Sequence, residues 1–169
     1  MNKLALLVNA MIEYERGVPR RVGHFLKVYG YAKTIGELEK LPENMQFTLE
    51  AAAIVHDIGI KPSLEKYGSS EAKYQEKEGG AAARIMLEKL DFAPEVTGRV
   101  VFLVEHHHTY DKVDALDYQI LLEADFLVNA FEKEMQQPTI EPVYHDVFKT
   151  TAGKRLCELL YLSKPAGTV

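Results

Sequence analysis

The stretch Ala51–Pro62, AAAIVHDIGIKP, decides how the chain is read. Small and apolar residues in helical register run into His56 and Asp57, and the run then breaks at Gly59 and Pro62. A carboxylate is costly to bury without a partner. A helix that ends on an imidazole and a carboxylate beside its apolar face therefore calls for something that receives both.

Working outward, the same combination recurs. His56 has Ala52 and Ala53 one turn earlier, and Asp57 has Ala53 and Ile54 there. His106 follows Phe102 and Leu103 by one turn, and His107 follows Leu103 and Val104. These groups lie on or beside apolar helical faces. Asp125 sits mid-helix in LLEADFLVNA, with Leu121 and Leu122 before it and Val128 after it on the same face. Each group alone has an ordinary explanation: a hydrogen-bonded core histidine, histidines complementing a helix dipole, or an aspartate bridged to Arg or Lys. His24, His56-Asp57 and Asp125 on three separate helices are harder to explain singly. A shared cation satisfies all of them. Mixed imidazole and carboxylate ligands suit Zn, Fe, Mn or Ni, and fit Mg less well.

The chain has 169 residues, enough for one domain with a sizeable core. Its net charge of -5 disfavours general nucleic-acid binding, which leaves Arg20 and Arg21 as local anion sites. Cys157 is the only cysteine, so no internal disulfide forms and a reducing, cytoplasmic location is expected. In MNKLALLVNAMIEYE the apolar run is interrupted by Asn9, Glu13 and Glu15, which reads as an amphipathic first helix rather than a signal peptide. No window reaches the apolar length of a membrane span, so no membrane partner is expected.

The pattern is helical almost throughout, and the expected fold is an all-α bundle of about six to seven helices. Helices are expected at roughly 2–15, 20–38, 46–57, 71–90, 95–108, 117–134 and 142–162. Pro19, Pro94 and Pro142 fall near helix starts. Gly59 follows a helix end as a left-handed cap. Residues 59–70 read as the longest irregular segment, and 109–116 as a polar loop carrying Asp111 and Asp114. The stretch 135–145, MQQPTIEPVYH, breaks the pattern as a lid or a linker. One domain spans the chain, with a core over about 18–132 and a C-terminal helical extension over about 138–162. Apolar spacing at Val147, Phe148, Leu156, Leu159 and Leu160 packs that extension on the domain or on a second chain, which leaves a homodimer open.

The ordered set of His24 in RRVGHFLKVYGYA, His56-Asp57 in AAAIVHDIG and Asp125 in LLEADFLVNA resembles the HD-domain superfamily of all-helical, metal-dependent phosphohydrolases. The resemblance covers about residues 18–132. It implies that His24, His56, Asp57 and Asp125 hold one divalent metal ion and that Asp57 can bridge to a second. His106 and His107 stand where two-metal members carry their later histidines. The earlier histidine of such members is absent: QEKEGGAAARIML offers Gln75, Glu76 and Glu78 there. Glu76 or Glu78 then serves as an oxygen ligand, a general base or a water-positioning group, or simply as part of a solvated helix face.

The implied activity is hydrolysis of a small phosphate ester or nucleotide, a phosphomonoester or phosphodiester, through a metal-activated water. Asp57, Lys61, Glu78, His106 and His107 are the catalytic candidates. Arg20 and Arg21, one turn before His24, and Lys61, after the doublet, are the candidates for holding phosphate, against an ordinary solubilising role. His106 or His107 could bind phosphate, bind a second ion or protonate the leaving group. His108 and His145 read as surface residues. Tyr110, Asp111 and Tyr118 line a pocket mouth or belong to an ordinary polar loop. Gly79-Gly80 lacks the pattern of a nucleotide-binding loop, and Cys157 in RLCELLYL reads as core. Two other classes stay open: a di-iron oxygenase of HD type, and a non-catalytic metal or nucleotide sensor.

Overall fold

Apolar residues at helical spacing produce helices along nearly the whole chain. The structure, a computed structural model, describes residues 2–163, and helix is the only regular structure among them. The helices are α1 Lys3–Tyr14, α2 Pro19–Leu38, α3 Glu43–Val55, α4 Ile60–Tyr67, α5 Ala72–Lys89, α6 Pro94–His106, α7 Leu116–Glu132, α8 Gln137–Asp146 and α9 Thr151–Cys157. A π-helical turn, Glu158–Leu162, follows α9. The chain is all-α, as expected, but with more helices than six or seven.

α3 and α7 form the centre. Every residue of α3 from Thr48 to Val55 is buried, and so is every residue of α7 from Asp117 to Val128. The three alanines 51–53 keep α3 slim, so α1, α2, α6 and α7 can all pack against it. α2 lies on both α3 and α7, and α5 covers α6. Because Thr48–Val55 and Asp117–Val128 are buried on all sides, a charged group within either stretch faces other protein rather than bulk water. No helix among the described residues is long and apolar enough to cross a membrane.

Two segments depart from expectation. Residues 59–70 are not irregular but contain α4. Pro62 sits in the first turn of α4, where a missing N–H costs no helical bond, so the proline starts the helix instead of breaking it. Gly59 is right-handed, φ −70, and the left-handed cap is at Gly68, φ 65. Glycine is needed at 59 for a different reason: a Cβ there would run into the carbonyl oxygen of Gln75 and the Cα of Gly79, where α5 crosses the turn. Of residues 135–145, all from Gln137 onward are helical and form most of α8. Pro138 lies in its first turn, and Pro142 is tolerated inside it.

The expected last helix, 142–162, is divided between α8, α9 and the π-helical turn. It returns to the bundle through Glu123, which is fully buried on α7. Its carboxylate accepts the backbone N–H groups of Lys149 (2.7 Å) and Thr150 (3.0 Å) and the Thr150 hydroxyl. Glu39 accepts the N–H of Ala152 at 2.7 Å, and Tyr161 donates to the carbonyl of Leu127. Cys157 is buried there, as expected of a core residue.

Candidate metal centre

The turn after α3 is where the centre is built. His56 is the C-cap residue of α3, and Asp57 lies in the tight turn into α4, which closes through Ile58 N–H to Val55 O and Ile60 N–H to Asp57 O. α2 brings His24 to this turn and α7 brings Asp125. His24 Nε2 lies 3.2 Å from His56 Nε2, 3.1 Å from Asp125 Oδ1 and 3.4 Å from Asp57 Oδ2. His56 Nε2 lies 3.5 Å from each of Asp57 Oδ2 and Asp125 Oδ1. From the end of α6, His107 Nε2 comes within 3.3 Å of Asp57 Oδ1.

The other ring nitrogens are already committed. His56 Nδ1 donates to Ala53 O at 2.9 Å, and His107 Nδ1 donates to Val104 O at 2.8 Å. His24 Nδ1 faces Glu132 Oε2 at 3.0 Å. An imidazole that donates from Nδ1 presents its Nε2 lone pair when neutral. Three such lone pairs and two carboxylates therefore converge, with the amide of Asn129, 2.9 Å from Asp125 Oδ1, among them. His107 Nε2 is buried and makes no hydrogen bond among the described residues. This donor set fits a divalent cation in ligand type and spacing: ligand atoms of His24, His56 and Asp57 lie within 4.8 Å of one another, and so do those of Asp57, His107 and His108.

The two carboxylates set the protonation of the neighbouring rings. Burial works against a charged His24, but the hydrogen bond to Asp125 and the charges of Asp57 and Asp125 outweigh it and raise the ring to about 9. His56 is raised as well, its burial outweighed mainly by Asp57 and Asp125. Burial would raise both carboxylates, yet the histidines hold them well below the usual range: His24 and His56 act on Asp125, and His56 and His107 on Asp57. His108 moves the other way, to about 4, through burial and the neighbouring His107.

The model of the HD domain family matches residues 21–143, well over half of the chain. The chain belongs to the HD domain family. Its fold is similar to the crystal structure of a predicted HD superfamily hydrolase from an uncultured Thermotogales bacterium, with a TM-score of 0.65 over 91% of this chain and 82% of that one. At 23% identity the likeness is one of fold. No curated protein matches the chain.

Beside the centre of this HD domain opens a cavity of about 610 Å³, lined by His24, Asp57, His108 and Asp125 together with Arg20, Arg21, Tyr110, Phe126, Asn129 and Lys133. Arg20 and Arg21 thus reach the site, but Arg21 is tied to buried Glu15 at 2.6 Å. Three other candidates point elsewhere. Lys61 donates to Tyr14 O at 3.1 Å and lies over the Tyr14 ring, because the first turn of α4 carries it towards α1. Glu78 accepts from Tyr67 Oη at 2.6 Å and Lys66 Nζ at 3.0 Å, joining α5 to α4. His106 stacks on Phe102, with its Nδ1 on Phe102 O; one residue of helix turns it away from the face that His107 uses.

The loop residues divide in the same way. Tyr110 lines the cavity, whereas Tyr118 is fully buried with its hydroxyl between the carbonyls of His106 and Thr109, which share its one proton. Arg99 anchors the end of that loop with bidentate pairs to Asp114 and Asp117. At the start of α5, Gln75 Oε1 lies 3.3 Å from His108 Nε2, and Glu76 accepts from His108 N and Thr109 Oγ1. His108, read from sequence as a surface residue, is a cavity residue. α6 ends at His106 and the chain turns, so helical spacing no longer predicts where the next side chain points. Glu132 and Lys133 are further residues that the sequence reading did not single out. For Glu132 a signal existed: it lies seven residues after Asp125, on the same face of α7.

Proposed function

We propose that this HD domain is a metal-dependent phosphohydrolase that hydrolyses a small phosphate ester, with a divalent ion on His24, His56, Asp57 and Asp125. The donor set carries the reading: two imidazole nitrogens whose opposite ring atoms are already committed converge with the Asp57 carboxylate, and Asp125 lies beside both rings. Hydrolysis is also the class of reaction in the name of the structure that shares its fold.

An ion held there would polarise a phosphoryl oxygen and make a water acidic enough to attack phosphorus near neutral pH. The chain's own residues supply the rest. Arg20 from α2 and Lys133 from the end of α7 line the cavity and form no ion pair among the described residues, which suits them to the remaining phosphate oxygens. Arg21 lends a charge that it shares with Glu15. Phe126 and Tyr110 give the organic part of the ester, such as a nucleoside, apolar walls. His108 is uncharged at neutral pH and, with Asp57 and His107, offers a second group of ligand atoms, the place for a second ion.

The test is elemental analysis of the purified chain beside Asp57→Ala, followed by phosphate release from a panel of esters with and without chelator. The native chain is expected to carry at least one equivalent of a transition metal, the variant to lose it, and turnover to stop with chelator. Two metal-free proteins after reconstitution with Mn, Fe, Ni and Zn would sink the reading. Dioxygen consumption with ferrous iron would identify an oxygenase instead, and bound metal without any turnover a sensor.

A further inference from the structure

We propose that Glu132 is a positioning residue for the metal centre, receiving the Nδ1–H of His24 so that the Nε2 lone pair of that ring faces the other ligands. This rests on the metal-dependent reading above. Seven residues, or about two turns, separate Glu132 from Asp125, so α7 presents both to α2. His24 is held between them, Nδ1 at 3.0 Å from Glu132 Oε2 and Nε2 at 3.1 Å from Asp125 Oδ1.

His56 and His107 fix their tautomers on backbone carbonyls of their own helices. His24 is turned away from its helix towards α7, and Glu132 is the partner that its Nδ1 finds among the described residues. The same carboxylate also joins α7 to α2. Its other oxygen lies 2.7 Å from Lys27 Nζ, one turn along α2 from His24, and that ammonium sits 5.1 Å from the Phe131 ring centre. A carboxylate on the far nitrogen orients a metal-ligating ring and makes its lone pair more basic.

The contrary possibility is that Glu132 is only a strut, pairing with Lys27 to join α7 to α2. Three variants separate the two: Glu132→Ala, Glu132→Gln and Lys27→Met. Mn²⁺ binding to the full chain is measured by calorimetry, well below the unfolding temperature of each variant. Long-range ¹H–¹⁵N spectra of the Zn-loaded proteins report the His24 tautomer. Glu132→Ala is expected to weaken Mn²⁺ binding by about 10–100-fold. It should also replace the single Nδ1–H tautomer of His24 by a mixture. Glu132→Gln, which keeps an acceptor but no charge, should fall between, and Lys27→Met should bind close to the wild-type affinity. Wild-type affinity in Glu132→Ala, or an equal loss in Lys27→Met, overturns the positioning role alone. Failure of the wild-type chain to bind any ion overturns the proposed function and this role together.

Discussion

Burial alone would strip His24 of its proton, but Asp125 and Asp57 reverse that and hold the ring protonated up to about 9. An unfolded histidine titrates near 6.5, so the folded state binds this proton more tightly than the unfolded one. The resulting stability is fully present below pH 6.5 and is lost as pH rises through about 9. His56 is raised too and acts in the same sense. The low values of Asp57 and Asp125 matter only in acid, and that of His108, about 4, only below 6.5. With chelator present, the protein is expected to lose on the order of 3 kcal/mol between pH 6.5 and 9. Denaturant midpoints measured across that window check it. A flat profile would mean that the two carboxylates do not hold the proton on His24.

Among the elements, the turn into α4 and the helix that crosses it depend on the absence of a side chain. Gly59→Ala would push a methyl group against the backbone of Gln75 and Gly79, and backbone cannot step aside as a flexible side chain can. The expected cost is about 1–3 kcal/mol, with a weaker metal centre because Asp57 lies in the same turn. Gly98→Ala on α6 is the contrast: a Cβ there meets nothing, so it should gain up to about 1 kcal/mol. Urea titration of both variants tests the pair, and equal effects would sink the argument. The same element shows what the sequence could tell. Asp125 was legible because a carboxylate in an apolar stripe needs a partner wherever the helix lies. His56-Asp57 was legible because it ends such a stripe. α4 was not, since Gly59 and Pro62 read locally as breakers, and the reason for Gly59 is a helix that arrives about twenty residues later. Lys61 and Glu78 were misplaced for a similar reason: their partners, Tyr14 and Tyr67, lie on other helices, and spacing along one helix does not reveal them.

For the whole molecule, α7 divides two tasks between its faces. Asp125 turns towards α2 and the turn after α3, where the cavity opens. Glu123, two residues earlier and about 200° round the helix, turns towards the C-terminal segment. Through Glu123 the segment 147–157 is held by bonds to its backbone rather than by apolar packing alone, although Phe148 also meets Phe126 with ring centres 5.7 Å apart. Glu123→Ala leaves the N–H groups of Lys149 and Thr150 without their acceptor, at an expected cost of about 1–3 kcal/mol. The loss should be local. Amide hydrogen exchange is expected to quicken over 147–157 while the amides of α3 stay protected, because low-stability units open separately from the core. Mn²⁺ affinity should stay at the wild-type value, since no ligand group touches Glu123. If affinity fell with the loosened segment, the centre would depend on α9 for its shape, and the two faces of α7 would have to be treated as one coupled unit.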